Sequence, residues 1–147
     1  MKSLYNAQER KEIIDRILSI NENSEGQWGK MTASQMLVHC QAPIKVAIGE
    51  LKLSQNLIFL ILGPIVKKKL MNDEPFDRNL PTHKKFLVQF DPQLEPERQK
   101  LIDLVNNFEV KKDQLAIKHP IFGKMDTHQW DVLLWKHLDH HLRQFGA

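Results

Sequence analysis

The sequence predicts an all-α protein, and three observations support this class. Glycine and proline are sparse, with six and seven residues among 147, which leaves room for long uninterrupted helices. Apolar side chains recur at helical spacing in several segments. The only marked β-favouring stretch is residues 85–90. At this length we expect one domain that covers residues 1–147.

Two helices are predicted in the first third of the chain. Asn6 is a suitable N-cap for the first helix, which should end near Asn21 and whose apolar face carries Ile13, Ile14, Ile17 and Leu18. The second helix should begin after Thr32, because Thr32 and Gln35 have the spacing of a capping box. It is expected to run to about Gly49.

The middle of the chain predicts a helical excursion followed by an irregular connection. Residues 51–70 have a helical pattern that is bent or broken at Gly63 and Pro64. Residues 71–92 are rich in Asn, Asp and Pro, which is typical of a connection without regular structure. This connection is long for a compact domain.

Two further helices complete the predicted fold. The third is expected over residues 95–108, with Pro96 at an early position. A compact apolar turn over residues 119–124 lies in the link that follows. Asp126 or Thr127 should cap the last helix, which is expected to run to about Phe145.

Composition disfavours several classes of function. The net charge of +3 is modest, and no basic patch with interleaved aromatic residues is visible, so we expect no nucleic-acid partner. The single cysteine, Cys40, excludes an internal disulfide and a Cys-rich zinc site. No paired carboxylates, Gly-rich phosphate loop or nucleophile elbow is visible, and no general base can be named.

The apolar segments predict no stable insertion into a membrane. The N-terminus lacks the apolar stretch of a signal peptide. The longest apolar run, residues 57–66, is shorter than the roughly 20 residues that span a bilayer. It could rest on a membrane surface or form a buried helix. We therefore expect a cytoplasmic protein, and a homodimer remains open.

Two histidines lie at the centre of the apolar face of the last helix. At about 100° per residue, His137 and His141 project about 20° to either side of Trp130. Their spacing places the rings about 6 Å apart along the axis, so both can reach one metal ion. His140 lies at the edge of this face and is the weaker candidate. The pair alone is equally compatible with structural histidines. The opposite side of the helix carries Val132, Lys136, Asp139 and Arg143.

His39 is the third side chain of the candidate site. It shares a face of the second helix with Met36, Pro43 and Val46, so it is expected to point into the core. Pro43 cannot donate to the carbonyl of His39, which predicts a local kink there. Burying three unpaired imidazoles is costly, whereas one ion pairs them all. Taken alone, His39 is more simply a hydrogen-bonded core histidine, but the three together predict a divalent-metal site held by His39, His137 and His141.

The other polar candidates are weaker. His83 and His119 lie in predicted connections, and either of them, or water, could supply a fourth ligand. His128 projects away from the apolar face and is expected at the surface. Cys40 is rotated by about 100° from His39, which favours a buried inert thiol over a redox role.

The motifs around these histidines resemble the DinB-like superfamily. The most specific feature is an HxxHHxxQ pattern on the last helix together with one histidine on the second. The resemblance covers essentially the whole chain, and it is carried by residues 28–40 (WGKMTASQMLVHC), 119–123 (HPIFG) and 136–146 (KHLDHHLRQFG).

The resemblance implies a four-helix bundle of up-down-down-up topology, to which this chain adds a helical excursion between helices two and three. It also implies a zinc or nickel ion held by His39, His137 and His141. The chain departs from the common pattern in residues 51–70 and in having Leu142 and Arg143 where Arg and then Gly are usual.

Two classes of function are compatible with such a site. The resemblance implies a metal-dependent hydrolase or a thiol-dependent transferase that acts on a small molecule. The alternative is a non-catalytic bundle, such as a binding or stress-response module, whose histidines form a structural or vestigial metal site.

Overall fold

The structure, a computed structural model, describes residues 1–53, 63, 66–68, 71–72, 74–80 and 82–147. Most of the predicted helical excursion lies outside the described residues, and so does Pro64 of its predicted bend.

The described residues are mostly helical, as the all-α prediction requires. Four α-helices have both ends among them: α1 (Ala7–Ser19), α2 (Ala33–Ala47), α3 (Leu94–Val110) and α4 (Thr127–Gln144). The connections contain two 3-10 helices, η1 (Lys84–Phe86) and η2 (Lys112–Gln114), and two strands, β1 (Lys118–His119) and β2 (Gly123–Lys124). The strands pair antiparallel as a small hairpin at the position of the predicted apolar turn.

Side-chain caps define the first turn of three helices. Asn6 accepts hydrogen bonds from two backbone amides at the start of α1. Thr32 and Gln35 form the predicted capping box before α2. Asp126, rather than Thr127, is the N-cap of α4 and forms a second capping box with Gln129. Each cap satisfies amides that have no partner within the helix and contributes about 1 kcal/mol.

Helix boundaries differ from the predicted ones by a few residues, as is usual for helix ends. α1 ends at Ser19, and α3 extends beyond the predicted range at both ends. α2 continues through Pro43 to Ala47. The predicted kink at Pro43 stays a prediction.

The helices contact one another in a closed ring, because α1 and α2 each pack against both α3 and α4. The core lies between them and includes Ile13, Ile17, Met36, Leu37, Val105, Phe108, Leu134 and Leu138. No helix among the described residues has the length and apolar character needed to cross a bilayer. The packing of α2 on α4 brings the inward faces of these two helices together.

Most of α4 is buried, including residues that the projection placed opposite its apolar face. Lys136 and Asp139 are both buried. The Lys136 ammonium donates to the carbonyl oxygen of Asn72 at 2.8 Å, and Asp139 pairs with Arg16 at 2.9 Å. A single apolar stripe was therefore the wrong description of α4, because other segments of the chain cover its outer side.

Candidate metal centre

His39 of α2 and His137 and His141 of α4 come together where the two helices pack. The His39 ring centroid lies 5.0 Å from that of His137 and 4.6 Å from that of His141. The centroids of His137 and His141 are 4.6 Å apart. One nitrogen of each ring lies within 4.8 Å of the others, so the group could hold a metal ion.

The closest pair of nitrogens has the spacing of two ligands of one ion. Nε2 of His39 and Nε2 of His137 are 3.1 Å apart. A tetrahedral ion about 2.0–2.1 Å from each nitrogen separates its ligands by about 3.3 Å. This part of the site needs little rearrangement to bind.

Hydrogen bonds occupy the other nitrogen of two rings. Nδ1 of His39 lies 3.1 Å from the backbone oxygen of Phe86. A carbonyl only accepts, so Nδ1 carries the proton of the neutral ring and Nε2 carries the lone pair. Nδ1 of His141 lies 2.8 Å from Oε1 of Gln144. Both rings thus have Nε2 available as a ligand, and the bonded Nδ1 holds each ring in place.

The hydrogen bonding of His137 differs from that of the other two histidines. Its Nδ1 is buried and has no hydrogen-bond partner among the described residues. In the metal-free protein, Nε2 of His137 can donate to Nε2 of His39, which leaves a lone pair on the buried Nδ1. An unpaired buried polar atom costs about 1–3 kcal/mol.

The environment keeps the three rings uncharged. Burial lowers the pKa of His39, although the bond to Phe86 opposes this shift. Burial, and then the neighbouring histidines, hold the pKa of His137 well below its usual range. Burial and then His39 lower the pKa of His141 to about 3. At neutral pH, protons therefore do not compete with a metal ion for these nitrogens.

The remaining candidates lie outside the cluster. Neither His83 nor His119, considered as a fourth ligand, belongs to the three-histidine group. His83 accepts a hydrogen bond from the Lys85 amide at the start of η1. His128 is exposed, as expected. Cys40 is buried, and burial raises the pKa of its thiol, which keeps it protonated and unreactive.

His119 has a structural role in the β-hairpin. Its Nδ1 accepts from the backbone amides of Ile121 and Phe122 at 3.1 and 3.2 Å. The ring is buried and stacks on Phe122 with centroids 4.3 Å apart. Burial lowers its pKa to about 4, so the folded protein favours the neutral ring.

Acid is therefore expected to destabilise the fold through His119. The folded pKa of about 4 lies below the unfolded value of about 6.5. The contribution of neutral His119 to the unfolding free energy is complete above about pH 6.5 and is lost as the pH falls towards 4. His119→Asn keeps an acceptor but does not titrate. Between about pH 7 and 4.5, with a chelator present, the unfolding free energy of the wild type should fall by about 2–3 kcal/mol more than that of the variant. Equal losses would contradict this role.

A surface cleft lies beside the cluster. It has a volume of about 520 Å³, and its lining includes Trp28, Phe76, Arg78, His140 and Arg143. The half-buried His140, predicted at the edge of the apolar face, has its ring 4.9 Å from that of His141. The cleft is within the size range of small-molecule sites.

Sequence reasoning missed the groups that orient the histidines. The Phe86 carbonyl belongs to the long connection, and nothing in a sequence pattern marks a backbone oxygen as a partner. Gln144 did leave a signal, because it lies three residues after His141 on the same helical face.

The comparisons with known proteins identify a family. No curated protein and no solved structure matches the chain significantly. A family model described as "Protein of unknown function (DUF1569)" matches residues 5–147. That description does not name the DinB-like superfamily, and the resemblance to it stays a hypothesis. Because the match covers nearly the whole sequence, the chain belongs to the DUF1569 family.

Proposed function

We propose that this protein binds one divalent metal ion through Nε2 of His39, His137 and His141. The observation that carries the proposal is the convergence of three neutral rings, two of which commit Nδ1 to an oxygen acceptor. One ion would give all three Nε2 atoms a partner, whereas the hydrogen bond between His39 and His137 involves only two of them. The three residues predicted from the sequence thus remain the proposed ligands.

The donor set favours zinc or nickel. Imidazole nitrogen suits both metals, whereas magnesium and calcium prefer oxygen. Three neutral ligands leave the charge of the ion uncompensated and leave coordination positions free, so a bound ion would supply a Lewis acid. Phe86 and Gln144 would hold two of the ligands in orientation. Burial of the rings would keep water from forming hydrogen bonds with the ligand nitrogens.

We further propose that the metal-bound protein acts on a small molecule. The cleft that His140 helps to line offers aromatic walls and two arginine side chains, and the His140 ring contacts that of His141. The closed ring of helix contacts is compatible with the up-down-down-up bundle of the DinB-like superfamily. By that resemblance, the reaction would be a metal-dependent hydrolysis or the transfer of a low-molecular-weight thiol.

Metal analysis of protein purified without a histidine tag tests the proposal. After dialysis against zinc or nickel and removal of free metal, we expect about one ion per chain for the wild type. His39→Ala and His141→Ala should each bind much less, whereas His128→Ala, at an exposed position of α4, should retain the ion. A wild type that takes up neither metal would remove the proposal.

A structural metal site is the second candidate, and the enclosure of the rings favours it. His39 and His141 are less than 10% exposed, as in closed sites that stabilise a fold. Cobalt in place of zinc distinguishes the two. If a position is open, adding azide should change the visible spectrum of the cobalt protein. An unchanged spectrum would favour the structural role.

A further inference from the structure

Gln144 lies at the end of α4 and links His141 to the segment before α2. Its side chain is buried. Oε1 is 2.8 Å from Nδ1 of His141, and the amide nitrogen donates to the backbone oxygen of Trp28 at 2.5 Å. The amide group of Gln144 therefore connects a candidate ligand with the backbone of a residue 116 positions before Gln144.

The Trp28 carbonyl decides which way the amide group faces. The two ends of a glutamine amide differ only in whether they donate or accept. A backbone oxygen accepts and does not donate, so the NH2 group must face Trp28. The oxygen is then directed at His141, where it can only accept. Nδ1 of His141 must therefore carry the proton, and Nε2 is left with the lone pair that a metal needs.

Gly29 provides the space for this contact. A Cβ atom added at Gly29 would lie 2.5 Å from the amide nitrogen of Gln144. The backbone of Gly29 also has φ of +81°, a conformation that favours glycine. Gly49 has nearly the same backbone angle, +78°, but an added Cβ would meet nothing within 4 Å. An alanine at either position would adopt nearly the same unfavourable backbone angle, but only an alanine at position 29 would contact Gln144.

We infer that Gln144 is a positioning residue that holds His141 in the Nδ1–H tautomer, with the Trp28 carbonyl and Gly29 as the parts that orient it. The inference rests on the proposed metal function and adds a role for the Trp28-Gly29 pair and for the glutamine that follows the histidines. It gives the buried amide of Gln144 a role at the end of α4.

The zinc affinity of four variants tests the inference, measured in competition with a chromophoric chelator. Gln144→Leu removes the acceptor, and Gly29→Ala displaces it. Both should weaken binding by about 10- to 100-fold, the usual cost of losing such a partner of a ligand. Gln144→Glu retains an acceptor for His141 and should bind close to the wild type. Gly49→Ala, which matches the strain of Gly29→Ala, should bind as the wild type does.

Stability provides a readout that a merely structural role would not match. Gln144→Glu turns a carboxylate towards the Trp28 carbonyl, so it should unfold more readily than Gln144→Leu. We thus expect the Gln144→Glu variant to bind zinc more tightly than the Gln144→Leu variant but to be the less stable of the two. Affinities that follow the order of stability, or unchanged binding by Gln144→Leu, would overturn the inference.

The tautomer itself can be measured without metal. Long-range ¹H–¹⁵N correlation spectra of the metal-free wild type at neutral pH should show His141 protonated at Nδ1, and Gln144→Leu should lose this preference. Protonation at Nε2 in the wild type would overturn the inference. If the wild type binds no zinc, the proposed function fails while the tautomer measurement still decides the role of Gln144.

Discussion

Replacing His137 by leucine is expected to abolish stabilisation by zinc while leaving the metal-free fold almost intact. Zinc at a hundred times its dissociation constant should stabilise the wild type by about 2.7 kcal/mol, and the variant should gain nothing. Without metal, the loss of the contact between His137 and His39 is offset by removal of the unpaired buried Nδ1. The unfolding free energy should therefore change by less than about 1 kcal/mol.

Urea unfolding with zinc and with a chelator measures both effects. His128→Leu is the matched control, because it makes the same substitution at an exposed position of α4 and should keep the zinc effect. Persistence of the zinc effect in His137→Leu would contradict the ligand assignment. Collapse of the metal-free variant would show that the His137 side chain itself supports the fold, independently of any metal.

Replacing Trp130 by phenylalanine is expected to destabilise the protein by about 2–4 kcal/mol. Trp130 is fully buried, and its indole nitrogen donates to the backbone oxygen of Ala116 at 2.6 Å. Phenylalanine removes this hydrogen bond and creates a small cavity. The Ala116 amide also donates to the carbonyl of Ala47 at the end of α2. Loss of the hydrogen bond from Trp130 should therefore loosen the contact between the segment around Ala116 and the end of α2.

Trp135 provides the matched comparison on the same helix. Its indole nitrogen is buried but has no hydrogen-bond partner among the described residues. Trp135→Phe removes an unpaired donor along with some packing, so it should cost less than about 1 kcal/mol. Urea unfolding of both variants measures the difference. Equal losses would show that the bond from Trp130 to Ala116 does not contribute to stability.

Local physical chemistry made most of the helical structure predictable. The caps Asn6 and Thr32 lie directly before their helices as expected, because a side-chain oxygen next to unpaired amides acts within a few residues. For α4, local pattern left Asp126 and Thr127 as alternatives, and the capping box with Gln129 resolved them. The all-α class followed from helical spacing, from the scarcity of glycine and proline and from the near absence of β-favouring stretches.

The candidate site was predictable only in part. The spacing of His137 and His141 depends on helix geometry, which one segment determines by itself. That His39 lies beside them depends on the packing of α2 against α4, for which the sequence provides only a tendency to turn both faces inward. Even their joint burial leaves the metal a proposal, since apolar packing and metal binding both favour inward rings.

The sequence by itself determined the helices and the three histidines; the tertiary structure decided what surrounds them. Periodicity placed Lys136 opposite the apolar face, yet the chain near Asn72 covers it. The carbonyls of Phe86 and Trp28, which direct His39 and Gln144, come from connections far along the chain. The physical reason is that helical pattern records interactions over three or four residues. Hydrogen bonds between distant backbone and side-chain atoms depend on the folded path of the whole chain.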